Sequence, residues 1–220
     1  NDTQLLDSIA YNAPYYLYVK SAGNSRNVNG PAVGQPYFRY NAGGSMASAG
    51  NRPDGISNND GYDIISWDGN AKNILTVGAV NGISSTYGRP EDVVMSNFSC
   101  WGPTDDGRIK PDIVADGVGV LSSISTSNTS YASYSGTSMA SPNAAGSLLL
   151  LQELYARLKN GEFLRAATIK GLAIHTASEA GSAPGPDYIF GFGLLNVEKA
   201  AAVISSSVAN NNNTSSEHLM

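Results

Sequence analysis

Residues 134–151, Tyr-Ser-Gly-Thr-Ser-Met-Ala-Ser-Pro-Asn-Ala-Ala-Gly-Ser-Leu-Leu-Leu-Leu, change character at Ser138. Small, polar and Gly residues suited to a turn come before it. Ala140, Ala144, Ala145 and Gly146 come after it and lead into the four leucines. The pattern predicts a helix entered from a turn, with Pro142 accommodated in a first turn whose N–H groups have no intrahelical partner. Four consecutive Leu leave no polar face, so the helix is expected to be buried all round. Small residues at its mouth let the backbone approach a neighbour closely. The side chain held there is a serine hydroxyl, beside first-turn N–H groups that favour negative charge. Ser138 is therefore either a helix cap, a position that prefers Ser and Thr, or a nucleophile whose attack on a carbonyl produces an oxyanion that is stabilised at once.

A chain of 220 residues is long enough for one domain, burying about 70% of its unfolded surface if it folds alone. It is 41% hydrophobic and 14% charged, with abundant Gly, Ser and Asn, a loop-rich composition. The net charge is -5 and the basic residues are scattered, which argues against a nucleic-acid or anionic-membrane partner. A single cysteine, Cys100, excludes an internal disulfide and suits a small buried hydrophobe with no basic cluster to activate it. No apolar run reaches the length of a membrane span, and the first residues have neither a positive start nor an apolar signal core.

Along the chain, residues 1–12 are polar and Asp-containing, with an abrupt start that resembles the middle of a domain. Tyr15 to Lys20 is aromatic and β-branched, a short buried strand running into Ser21-Ala22-Gly23-Asn24. That places the Asn24 amide at the carboxyl edge of a sheet, where open α/β folds bind ligands; the plainer alternative is a left-handed turn residue. Residues 27–70 form a long Gly-, Asn- and Pro-rich insertion. Within it, Gly44-Ser45-Met46-Ala47-Ser48 echoes the string around Ser138, but no apolar helix follows. Asp54, Asn58, Asp60 and Asp63 offer oxygen ligands for calcium. Their spacing fits no EF-hand loop, and solvated loop carboxylates are the simpler reading. Lys72 to Val80 is the near-continuous apolar run of a buried parallel strand. Met95 to Gly102 reads as strand and turn, and strands are also expected at Asp112 to Ala115, Val120 to Ile124 and Tyr131 to Tyr134. A one-sided helix is expected over 163–176, and a last helix, capped by Asn196, through Ile204. The domain then ends near residue 205, with 206–220 a disordered tail or linker.

Gly136-Thr137-Ser138-Met139-Ala140-Ser141-Pro142 resembles the nucleophile motif of the subtilisin-like serine peptidases, and Ser21-Ala22-Gly23-Asn24 resembles their oxyanion-hole segment. Residues 73–80, 96–115 and 190–203 resemble later segments of the same family, in the same order, so the likeness runs from Tyr15 to about Ile204. It implies a doubly wound α/β fold: a mainly parallel sheet with helices on both faces. It also implies a secreted or cell-surface serine endopeptidase acting on proteins or peptides. Ser138 would be the acyl-forming nucleophile, with the Asn24 amide and the Ser138 N–H as oxyanion donors. Ser21, Ala22 and Gly23 would form one wall of the pocket for the substrate residue before the scissile bond, and Ser66, Trp67 and Asp68 the other. No cofactor is implied for the chemistry, and a structural calcium ion, common in the family, has no assignable ligands here.

In this family the triad runs Asp, His, Ser along the chain. Here the only histidines are His175 and His218, both after Ser138, and no Asp-Ser-Gly, Asp-Thr-Gly or His-Gly-Thr-His string precedes it. The chain is therefore expected to be the C-terminal portion of a catalytic domain, incomplete without an N-terminal segment, on the same or a second chain, that carries Asp and His. A Ser, acid, His order through Glu153 or Glu162 to His175 would suit an α/β-hydrolase. The motif, however, reads Gly-x-Ser-x-Ala, and only helices fill the interval. His175 reads more simply as a helix-end residue making a local hydrogen bond. A catalytically inactive descendant that binds peptides or proteins also accounts for the missing base, but needs neither Ser138 nor Asn24.

Overall fold

The computed structural model describes residues 2–28, 30–53, 61–84 and 86–210, with backbone alone at the last. Its centre is strand β4, Leu75–Val80, in which every residue is buried. Strands β1, Val19–Ser21, and β5, Ile113–Asp116, flank it in parallel in the order β1-β4-β5, with Val19 opposite Leu75 and Val77 opposite Ile113. An unbroken apolar run suits such a strand, because a parallel sheet is covered on both faces. Helix α2, Thr137–Leu158, lies across all three strands. Its buried stripe, Ala140, Ala144, Leu148, Leu151 and Tyr155, recurs every three or four residues, as one side of a 3.6-residue helix requires. Helices α3, Ala166–His175, and α4, Val197–Asn210, complete that core with Ile169, Leu172, Ala200 and Ile204. On the other face Val80 and Val114 pack with Val93 and Ala180. The hairpin of β6, Val120–Ser123, and β7, Tyr131–Tyr134, leads into α2.

Several expectations are corrected. Helix α2 is not buried all round: Leu149 is 69% and Leu150 62% exposed, because the sheet lies on only one side of the helix. Pro142 is the sixth residue of α2, so the hydrogen bond it cannot make is the one to the Ser138 carbonyl. Residues 2–12 form helix α1, Asp2–Asn12. Only Ala10 of α1 is buried, and the helix is held largely by Asp7, whose Oδ1 accepts the Asn73 N–H at 2.7 Å. That contact is invisible to periodicity.

The insertion contains an antiparallel hairpin, β2, Pro36–Tyr40, with β3, Met46–Asn51. Ser45 lies in its turn, where Asn41 Oδ1 accepts the N–H groups of Gly43 and Ser45, so the echo of the Ser138 string opens no helix. Asp54, Asn58 and Asp60 fall outside the described residues, and Asp63 is exposed. Residues 95–102 contribute one isolated bridge, Met95 to Val80, rather than a strand. Helix α3 starts at Ala166, after Leu164 is clamped by both ends of the Gln152 amide. Helix α4 continues past Ile204, and residues 211–220 of the expected tail lie outside the description.

A buried ionic cluster ties the starts of β4 and β5. Lys110 Nζ is 2.6 Å from Asp112 Oδ2, and Lys170 Nζ is 3.1 Å from Asp112 Oδ1. Thr76 donates its N–H to Asp112 Oδ2 and accepts from Lys110 at Oγ1. Desolvation pulls the Lys110 pKa down to about 8, against the opposing attraction of Asp112. With the folded pKa below the unfolded 10.5, the native state binds fewer protons in that interval, so stability is gained as pH rises through it. Urea unfolding should show a gain of up to about 3 kcal/mol between pH 8 and 10.5, reduced in Lys110→Met. Asp112→Asn should cost about 3–5 kcal/mol at neutral pH by leaving Lys110 buried without its counter-charge.

Candidate active site

The mouth of α2 is built on two glycines. Gly136 donates its N–H to Gly117 O at 2.8 Å, which sets the helix start against the turn that follows β5. A Cβ on Gly117 would stand 2.8 Å from both Ala79 Cβ and Gly136 O, so only glycine permits this approach to the end of β4. Ser138 is the second residue of α2, exposed, while Thr137 beside it is buried. Ser138 does not cap the helix. The position before the helix is Gly136, whose carbonyl accepts the Met139 and Ala140 N–H groups at 2.9 and 3.3 Å. Ser138 keeps its hydroxyl and its first-turn N–H at the helix's electropositive end.

Asn24 comes to the same place from β1. Ala22 donates to Val77 O at 3.0 Å, carrying the β1–β4 ladder to its last bond, and the chain then turns at Gly23, φ 117. Asn24 itself is not among the positive-φ residues, which overturns the left-handed-turn alternative. Its Oδ1 accepts two hydrogen bonds from Thr137, from N at 2.9 Å and from Oγ1 at 2.8 Å. With the oxygen end so engaged, the amide is turned to present Nδ2 as a donor. Nδ2 lies 3.3 Å from the point where a Gly136 Cβ would stand, and Ser138 N lies 3.6 Å from that same point. Asn24 Nδ2 and the Ser138 backbone N–H thus lie on one side of the molecule, around one small space. Thr137 was not singled out by the sequence reading. It is part of the same motif, and only the fold shows that it orients the amide.

The segments carrying Ser21, Ala22, Gly23 and Ser66 lie side by side: Ser66 donates its N–H to Ala22 O at 3.0 Å and its Oγ to Ser21 O at 3.4 Å. Asp68 is paired with Lys20 at 3.4 Å, and Trp67 is 74% exposed. A cavity of about 790 Å³ between Trp67, Asp68, Asn70 and Arg108 touches neither Ser138 nor Asn24. His175 ends α3 and is exposed. Glu153, the acid weighed with it, instead pairs with Arg157 along α2 at 2.5 Å, and no hydrogen bond among the described residues joins His175 to Ser138. His218 lies outside the description. Among the described residues, no group of three or more His, Cys, Asp or Glu could hold a metal ion, and no helix is long and apolar enough to cross a membrane.

The parallel sheet, with a serine at a helix mouth and an amide at the neighbouring strand end, defines an open α/β protein of the class that binds ligands beyond the carboxyl ends of its strands. Comparison with known proteins narrows the class. The sequence pattern of the subtilase family matches residues 3–193, and the chain belongs to that family. It is 44% identical over 86 residues to the C5a peptidase of Streptococcus pyogenes serotype M3, covering 39% of this chain and 7% of that protein. The subtilisin-like protease SBT3.13 of Arabidopsis thaliana is 30% identical over 134 residues, 56% of this chain and 18% of that protein. The chain thus spans less than a fifth of either relative. Among solved structures, the CspB protease of Clostridium perfringens matches with a TM-score of 0.57 at 26% identity, over 70% of this chain and 31% of that one.

The contact at Gly117 gives a direct test of how the site is built. Gly117→Ala should destabilise the protein by about 1–3 kcal/mol, read from chemical unfolding, because the added methyl has to displace the helix mouth or the end of β4.

Proposed function

We propose that this chain is the nucleophile- and oxyanion-bearing part of a subtilisin-like serine endopeptidase that hydrolyses peptide bonds in proteins or peptides outside the cell. The observation that carries the reading is the shared space between Asn24 Nδ2 and Ser138 N at the mouth of α2. Ser138 Oγ attacks the scissile carbonyl carbon and passes its proton to a histidine held by an aspartate. The carbonyl oxygen, now an oxyanion, receives hydrogen bonds from the Ser138 N–H and Asn24 Nδ2. Collapse protonates and expels the amine, leaving an ester on Ser138 that water hydrolyses by the reverse steps. Ser21, Ala22 and Gly23, beside Ser66, line the side on which the residue before the scissile bond is held.

The histidine and aspartate belong to a segment outside these 220 residues. Two features of the fold support this. The outer edge of β1 has no strand partner among the described residues, and Leu149 and Leu150 stand exposed midway along a helix whose other side is core. Both are surfaces that a doubly wound sheet covers with further strands and helices.

Labelling with a fluorophosphonate is the primary test. The native assembly should react at Ser138 and the Ser138→Ala protein should not; absence of labelling in every assembly would leave a peptide-binding role as the better account. Asn24→Ala should lower kcat by about a hundred- to a thousandfold with little change in KM, a magnitude taken from a subtilisin itself. Because Asn24 also accepts from Thr137, the unfolding midpoint of that variant is measured alongside.

A further inference from the structure

Thr137 fixes the carboxamide of Asn24 and takes the Gly23 N–H at Oγ1, at 3.2 Å; Cys100 holds the backbone on both sides of Asn24. Cys100 donates its N–H to Gly23 O at 3.0 Å, and Cys100 Sγ accepts the Ser25 N–H at 3.3 Å. Gly23 rests so closely on the sulfur that a Cβ there would stand 2.9 Å from Sγ. Cys100 is 1% exposed. Burial pushes its thiol pKa up, so the side chain remains a neutral thiol whose sulfur accepts a hydrogen bond.

The segment around Cys100 is anchored in turn. Ser96 N donates to Ala79 O, and Ala79 N donates to Ser99 Oγ, each at 3.0 Å, which binds it to β4. On its other side Arg26 donates to Ser99 O at 3.0 Å and Ser96 O at 2.6 Å, and its guanidinium lies 4.3 Å over the Trp101 ring. Residues 96–101 are therefore a splint between the central strand and the loop that carries Asn24.

We propose that Cys100 is a positioning residue for the oxyanion hole, its sulfur setting the height at which residues 23–25 present the Asn24 amide to the substrate. The proposal rests on the reading of Asn24 as an oxyanion donor. It assigns to the thiol a part in transition-state geometry and none in chemistry. A donor meant for the oxyanion rather than the ground-state carbonyl is sensitive to small displacements, so its misplacement lowers kcat and leaves KM nearly unchanged.

A double-mutant cycle in the active assembly tests this. Cys100→Val keeps most of the volume and removes the acceptor, and should lower kcat about three- to tenfold at constant KM, the value of one hydrogen bond. Cys100→Ser keeps an acceptor and should recover most of that loss. In an Asn24→Ala background Cys100→Val should change kcat by less than about twofold, since no carboxamide remains to be misplaced. Equal losses in both backgrounds overturn the proposal, as does a rise in KM at unchanged kcat. If Cys100→Val does not fold, Cys100→Ala takes its place in the same cycle. A normal kcat in Asn24→Ala alone would instead refute the oxyanion assignment, and the proposal with it.

Discussion

Burial of β4 is the constraint on which the site depends. Every residue of Leu75–Val80 is buried, so its polar backbone groups have to be bonded; the Thr76 N–H goes to Asp112 Oδ2, and bonds from Val77, Ala79 and Val80 go to segments that build the candidate site. Val77 O takes the Ala22 N–H and so fixes the approach to Asn24. Ala79 bonds Ser96 and Ser99, which hold Cys100 in place. Val80 O takes the Gly117 N–H, and Gly117 O takes that of Gly136, the residue before α2. Three segments far apart in sequence are thus referred to one rigid strand. The relative position of Asn24 and Ser138 follows from this ladder together with the Thr137 and Cys100 contacts that hold residues 23–25.

Local chemistry alone left Ser138 and Asn24 open, each with a plainer alternative as a helix cap or a turn residue. The longer strings around them, through their resemblance to the subtilisin-like peptidases, singled them out. β4 was legible from its own residues, as an apolar run with no alternation. What stayed hidden were properties of pairs. The exposure of Leu149 and Leu150 depends on which side of α2 the sheet occupies, and α1 depends on an aspartate meeting Asn73, a residue remote in sequence. The hairpin in the insertion has its turn at Asn41 to Ser45, fixed by a side chain bonding its own loop, in a stretch whose composition suggested only irregular chain. Thr137 and Cys100 read as ordinary small residues in sequence, and their roles appear only where they meet residues 23–25.

The sheet also separates stability from chemistry along its length. The Lys110, Asp112 and Lys170 cluster bridges Thr76 and the entry to β5, at the amino end of the strands, while Gly117, Gly136, Ser138 and Asn24 gather beyond the carboxyl ends. Parallel strands make this division natural. All of them finish on the same side, where helix N-termini and connecting loops supply exposed donors. A buried ion pair is costly at either end. At the amino end its carboxylate is satisfied by both lysines and a backbone N–H and draws on none of the donors at the other end.

As the proposed oxyanion donors, Asn24 Nδ2 and Ser138 N are oriented by bonds within this chain. Asn24 is turned by Thr137, its loop is held by Cys100 and Val77, and the helix mouth is set by Gly117, all without a residue from any other segment. On the proposed function, electrostatic preorganisation, often the larger contribution to catalysis, would then already be in place. Proton transfer would be the function still to be supplied, by an imidazole close to Ser138 Oγ. Because that hydroxyl is exposed, and Leu149 and Leu150 are exposed further along the same helix, one segment laid along α2 could bring the imidazole to the serine while covering the leucines. On that arrangement the apolar area gained on docking and the arrival of the base are the same event, so a chain that has not been joined by its partner would hold substrate geometry without cutting.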